Sequence, residues 1–272
     1  MRIDPATNRV MGTVPLGEAA AGLGFAAGSV WVGTNSSDTV YRIDPASGRV
    51  TPIHTSKAWP AWLSTRGEQV WAGSVNDNVA VHIDPTTNRA AHVVKVGANP
   101  VDGVVDSRGL VWIPNRGDGS VSIIDAESAT PVTTVGVGPT PFVLNEGFGD
   151  VWSPSYGGSD IRRLRPPRII EARLAEVAGS GQTGKVRLIA TTARASRVVV
   201  TVSGAAPSQI VHIHGGRCGA FKAAAFRPWT LRGGVGSALV PASIRMLASG
   251  KYALDVHHSP SDGQYVACAN LG

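Results

Sequence analysis

Four of the seven histidines, His212, His214, His257 and His258, fall near the end of the chain. His212 and His214 sit two apart in the alternating run Q-I-V-H-I-H (209–214). On a strand, that spacing points both rings to one face. His257 and His258 are consecutive at the end of Y-A-L-D-V-H-H (252–258), so only one of them can share such a face. Two imidazoles on one face, joined by a third from a neighbouring strand, is how a sheet builds a copper or zinc site. An exposed alternating strand without metal has the same spacing, and spacing alone does not choose. The only two cysteines, Cys218 and Cys268, lie in the same region. They are either a disulfide or two buried thiols. If bonded, they close a loop worth roughly 4 kcal/mol in the loop-entropy picture, and the mature protein belongs outside a reducing cytoplasm.

Such residues need strands to hold them, and the surrounding sequence supplies them. K-V-R-L-I-A-T (185–191), S-R-V-V-V-T-V (196–202), the two histidine runs and Q-Y-V-A-C-A-N-L (264–271) alternate, with Gly, Pro and Ser between them. About 100 residues of this kind make a small antiparallel sandwich or barrel. The whole chain of 272 residues is 43% hydrophobic and 16% charged, with 33 Gly and 18 Pro. It is too apolar for disorder and too rich in turn formers for a helical bundle. No stretch approaches the roughly 20 apolar residues of a membrane helix, and M-R-I-D-P shows no apolar signal core. Charge divides the chain: 13 Lys+Arg against 15 Asp+Glu in 1–166, but 12 against 4 in 167–272. A basic unit of this kind is either a surface that attracts anions, from small substrates to wall polymers or nucleic acid, or a soluble basic surface with no partner. Nothing shows the basic helix or interleaved aromatics of a nucleic-acid binder.

Residues 1–166 carry a repeat. R-I-D-P at Arg2–Pro5 and Arg42–Pro45 returns as H-I-D-P at His82–Pro85 and decays to I-I-D-A at Ile123–Ala126. Out of phase with it runs V-W, at Trp31, Trp71, Trp112 and Trp152. Each unit reads as four strands. V-W-V-G-T-N (30–35) is followed by T-V-Y-R-I-D (39–44), then the turn D-P-A-S-G-R (44–49), then R-V-T-P-I-H (49–54), with a fourth strand around 60–65 leading onward. Gly48, and Asn8 and Asn88 at the matching places, suit a turn position of positive φ. Four strands every roughly 40 residues is the pattern of a β-propeller blade, and the once-per-blade Trp series is structural.

These units resemble the YVTN-type and streptogramin-lyase-like β-propellers, whose blades read much like "G-x-V-W-V-x-N…V-x-x-I-D-P-x-T-G-x-V". Such rings commonly close with six or seven blades. Here there are three full units plus fragments at both ends. Strand 9–14 offers a way to close a four-bladed ring; a truncated product that lost a leader and its first blades is the preferred expectation. The resemblance to the lyases implies catalytic His and acidic residues with bound Mg²⁺ in the channel. His82 replaces the Arg of a repeat motif, and His54 and His92 have no carboxylate at a tell-tale spacing, so lyase chemistry is the least favoured reading.

H-I-H-G-G-R-C (212–218), L-D-V-H (254–257) and Y-V-A-C-A-N-L-G (265–272) are similar to the copper/zinc superoxide dismutase family, where the order is H-V-H…C, V-V-H and R-L-A-C-G-x-I-G. The resemblance implies a Greek-key β-sandwich, His212, His214 and His257 as copper ligands, and a Cys218–Cys268 disulfide. The departures matter equally. Between Gly219 and Leu254 there is no His and no Asp, so the bridging ligand and the zinc site are absent. Tyr265 stands where the family carries the Arg that guides superoxide.

The sequence therefore predicts an all-β protein: a partial or small propeller of about four blades over 1–166, followed by a dismutase-type sandwich over 167–272. The expected function is an extracytoplasmic copper-binding protein, secreted or in the cell envelope, without zinc. Superoxide or another small anion would be its partner, and dismutation an added capacity. The alternative is a non-catalytic envelope protein that keeps only the fold. The two differ in whether copper affinity depends on His212.

Overall fold

A computed structural model describes every residue except Pro260 and Asp262. The chain is almost entirely β and forms two compact units, Met1–Arg165 and Pro166–Gly272. The only helix among the described residues is one turn, Ile244–Leu247, capped by the Ser243 hydroxyl, which accepts from the Met246 amide.

The first unit repeats one motif, a four-stranded antiparallel sheet whose strands pair in chain order. One sheet holds Ala20–Ala26, Ser29–Thr34, Thr39–Ile43 and Val50–His54; the next holds Pro60–Arg66, Gln69–Ser74, Val79–Asp84 and Arg89–Lys95. A third runs from Val104–Val105 through Leu110–Asn115 and Ser120–Asp125 to Thr130–Gly136. The last sheet has three strands, Asn145–Gly147, Asp150–Pro154 and Ile161–Leu164. The strand expected to complete its own unit near residue 60 instead opens the following sheet. Arg9–Gly12, a candidate for closing the last blade, pairs with Arg2–Asp4 as a separate hairpin.

The two repeat markers are partners. Trp31 stands opposite Arg42, Trp71 opposite His82, Trp112 opposite Ile123 and Trp152 opposite Arg163. Arg42 lies over the Trp31 ring at 5.3 Å, and its guanidinium donates to the Pro85 carbonyl and to Asn88 Oδ1 of the next sheet. Arg2 makes the equivalent bond to the Pro45 carbonyl. One side chain thus packs on its own sheet's Trp and ties down the following sheet's turn, which explains why both markers hold one period. Trp31, Trp71 and Trp112 are fully buried, and the Trp152 indole donates to the Gly147 carbonyl.

The expected linker 162–168 is partly strand, since Arg162 and Arg163 belong to Ile161–Leu164. Arg163 is held there by Asp150 and by the Trp152 ring.

Among the described residues of the second unit, eight of nine strands close into a barrel. Its order is Ile169–Glu176, Thr183–Thr192, Ala195–Ser203, Val235–Val240, Trp229–Arg232, Ser208–Arg217, Tyr252–His257 and Tyr265–Asn270, which returns to Ile169–Glu176. The chain skips two positions in this order after Ala195–Ser203 and crosses again after Val235–Val240 by way of the short helix. The ninth strand, Ala220–Ala224, lies on the outer length of Ser208–Arg217. The interior is filled by Leu174, Val186, Leu188, Val198, Val200, Val211, Ile213, Leu231, Leu254, Val256, Ala267 and Ala269. Five of these barrel strands match runs legible in the sequence. Ile169–Glu176, Trp229–Arg232 and Val235–Val240 were not anticipated: the first buries only Leu174 fully, the second is four residues long, and Gly236 and Ser237 dilute the third.

Candidate metal centre

The alternation that fills the barrel also builds the site. Val211 and Ile213 point into the core, so His212 and His214 take the opposite face; Leu254 and Val256 do the same for Asp255 and His257. The register then brings them together. His212 is paired with Asp255, His214 with Ala253, and His257 with Tyr265.

His212 Nδ1 lies 3.0 Å from His257 Nε2. Around them, Asp255 Oδ1 is 3.6 Å from His212 Nδ1, and Asp255 Oδ2 is 3.4 Å from both His214 Nε2 and His257 Nε2. His214 Nδ1 is 2.9 Å from the Lys222 carbonyl. A carbonyl only accepts, so Nδ1 carries the proton and Nε2 presents its lone pair to the cluster. The three histidines of the expected set therefore converge, whereas His258 hydrogen-bonds through its backbone amide to the Gln264 carbonyl.

Asp255 is the residue that sequence reasoning left unused. It is wholly buried, and among the described residues neither carboxylate oxygen has a hydrogen-bond partner; His214 Nε2 has none there either. An ionised carboxylate in that position costs several kcal/mol unless a positive charge compensates it. The His214 Nε2 lone pair and Asp255 Oδ2, 3.4 Å apart, are donors placed to share a cation. The signal was present in L-D-V-H: Asp255 lies two before His257, hence on the same face, and it is one of only four acids after residue 166.

The donor spacings fit a metal. With bonds of about 2.0–2.1 Å, ligands at roughly right angles stand about 3 Å apart, and at tetrahedral angles about 3.3–3.5 Å. His212, His214 and Asp255 each offer one ligand atom within 4.8 Å of the others. Burial lowers the pKa of His212 below the usual value; Asp255 pulls it up, and His257 and His214 push it further down. Burial thus favours the unprotonated imidazole that a metal needs.

A hairpin roofs the cluster. Gly216, at φ +102°, turns the chain where a Cβ would collide with the Ala220 carbonyl, and the returning strand brings Phe221 against His214, ring centroids 4.9 Å apart. Phe221 packs edge-on to Tyr265 at 5.1 Å, and Tyr265 edge-on to His257 at 5.4 Å. The Cys218–Cys268 disulfide staples this hairpin to the strand Tyr265–Asn270, and Cys268 is paired with Asp255. The Cys218 amide also donates to Asn270 Oδ1.

The first unit's histidines are placed differently. His54 meets Asp38 at 3.0 Å, a carboxylate pairing the sequence did not reveal, but the imidazole is 70% exposed. His82 stacks between Trp71 (4.8 Å) and His92 (5.8 Å), and burial first, then His92, lowers its pKa to about 4.

No protein-family model matches the chain, and no curated protein matches it. Among solved structures it is similar to a streptogramin B lyase, at 14% identity over 67% of this chain and 70% of that one, with a TM-score of 0.48. It is similar to Kuenenia stuttgartiensis hydrazine synthase at 10% identity, over 70% of this chain and 65% of that one, with a TM-score of 0.48. Virginiamycin B lyase from Staphylococcus aureus gives 15% identity, 62% and 66% coverage and a TM-score of 0.41. The chain thus spans about two thirds of the length of these three proteins.

Proposed function

We propose that the second unit is a copper-binding domain of dismutase type, held by His212 Nδ1, His214 Nε2 and His257 Nε2, in an extracytoplasmic protein whose first unit is a propeller platform of about four blades. The observation that carries this reading is the buried cluster of imidazole nitrogens around a carboxylate that has no hydrogen-bond partner among the described residues. The strand order, with its two crossovers, agrees with a Greek-key arrangement, and the disulfide agrees with an oxidising compartment.

Copper bound there would supply one-electron redox chemistry. The chain's own contribution is to fix the His214 tautomer through the Lys222 carbonyl, to keep His212 unprotonated by burial, and to limit access with Phe221 and Tyr265. The basic second unit draws small anions such as superoxide toward it. Tyr265 favours a second reading, binding without turnover: it sets an uncharged ring against His257 at the place where the resembled pattern has Arg.

The test is a Cu(II) titration of the full chain beside His212→Ala. One tightly bound equivalent, lost in the variant, is the expected result. Equal weak binding by both overturns the metal reading and leaves a fold-only role.

A further inference from the structure

We infer that Asp255 is the fourth ligand of this centre, and that its charge makes the site a holder of dipositive ions, Cu(II) above Zn(II), in preference to Cu(I). This rests on the metal reading above.

Position comes first. Asp255 is paired with His212 on the adjoining strand, has no exposure, and turns Oδ2 toward two Nε2 atoms at the same 3.4 Å. Among the described residues no hydrogen bond occupies either oxygen, although Cys268 is its register partner on the other side and Tyr265 is that of His257. A carboxylate placed merely to orient a histidine would accept its N–H at about 2.7–3.0 Å, in line. Here all three distances are longer and similar, which is the spacing of donors around a common centre. In the motif V-V-H that L-D-V-H resembles, this place holds an apolar Val, so the oxygen is a departure belonging to this chain.

Chemistry follows from the donor set. Three neutral imidazoles leave an ion's charge uncompensated, whereas one carboxylate removes a full unit of it inside a low-dielectric site. That interaction is larger for a dipositive ion than for a monopositive one. Oxygen donors also suit harder ions, while Cu(I) takes soft sulfur ligands by preference. A set of three nitrogens and one oxygen is equally acceptable to Zn(II), and among divalent ions the general order places Cu(II) above it. Zinc would therefore compete for this one position rather than occupy a second site.

The experiment compares full-length parent with Asp255→Asn, which keeps shape and removes charge, by chelator competition with Cu(II), Zn(II) and Cu(I) separately. The expected result is a loss of about tenfold or more in Cu(II) and Zn(II) affinity, with Cu(I) affinity changed less than about threefold. A tenfold selective loss raises the Cu(II)/Cu(I) potential by about 59 mV, readable by voltammetry. Equal changes for Cu(I) and Cu(II), or none, overturn the assignment while leaving the three-histidine reading intact. Failure of the parent to bind, or insensitivity to His212→Ala, instead defeats the reading beneath it. Should Asp255→Asn not fold, the parent alone decides. Cu(I) added in equal amount to the zinc-loaded protein should leave zinc bound, and displacement of zinc overturns the inference.

Discussion

Asp255 faces His212 across adjacent antiparallel strands, its carboxylate sealed from solvent and 3.6 Å from the His212 Nδ1 nitrogen. Two outward positions of a barrel wall have thus become an interior, because the hairpin stapled by Cys218–Cys268 lies over them. A carboxylate without hydrogen bonds is a burden to the metal-free protein and an asset to the loaded one.

That opposition can be measured. Asp255→Asn is expected to raise the unfolding free energy of the metal-free protein at neutral pH by roughly 1–3 kcal/mol, the scale of an unsatisfied buried polar group. With saturating metal the variant should gain less than the parent, by about 1.4 kcal/mol for each tenfold of affinity lost. Thermal unfolding with and without metal checks both signs. A variant less stable than the parent in the absence of metal would show that Asp255 has a structural partner.

The disulfide carries a second prediction. Cys218 and Cys268 are 50 apart in sequence, so Cys218→Ser with Cys268→Ser should cost roughly 4 kcal/mol of stability. It should also free the hairpin that brings the Lys222 carbonyl to His214 and Phe221 to its ring, lowering Cu(II) affinity by about tenfold or more. Denaturant titration and chelator competition report the two effects separately. Lost stability with unchanged affinity would mean that the roof holds its place without the staple.

How far the sequence reached depends on which interactions are local. Period-two alternation placed His212 and His214 on one face, and the forty-residue period marked out the repeating four-stranded units, because both follow from distances along the chain. Asp255 was overlooked because its significance lies in register: only the pairing of Tyr252–His257 with Ser208–Arg217 sets it opposite His212. The pairing of His54 with Asp38 escaped for the same reason, since they come from the end of one strand and the turn before its neighbour. The barrel strand Ile169–Glu176, I-I-E-A-R-L-A-E, buries fully only Leu174, and a single buried side chain leaves little pattern.

His82 predicts a pH dependence in the first unit. Its folded pKa, about 4, lies below the ordinary 6.5 because burial disfavours the charged ring. The unfolded chain therefore binds the proton first as pH falls. Stability contributed by neutral His82 is fully present above about pH 6.5 and is lost progressively down to about pH 4. Allowing for the ring's partial exposure, the loss is about 2 kcal/mol. His82→Phe keeps an aromatic ring against Trp71 and removes the titration, so its unfolding free energy should fall less between pH 7 and 4. An unchanged slope would place the acid sensitivity elsewhere.

The coupling of repeat markers gives the last test. Arg42 packs on Trp31 at 5.3 Å and donates to Pro85 and Asn88 of the next sheet, so Arg42→Ala removes a cation–π contact and two hydrogen bonds that join neighbouring sheets. The expected cost is about 1–3 kcal/mol. Trp31→Ala should cost about 3–5 kcal/mol, because it empties a fully buried indole site. The double variant should lose less than the sum of the two, since truncating either partner already removes the ring–guanidinium contact. Unfolding measurements on the four proteins close the cycle. Strict additivity would mean that Trp31 and Arg42 recur together for separate reasons, one to fill its own sheet's core and the other to bind the neighbouring turn.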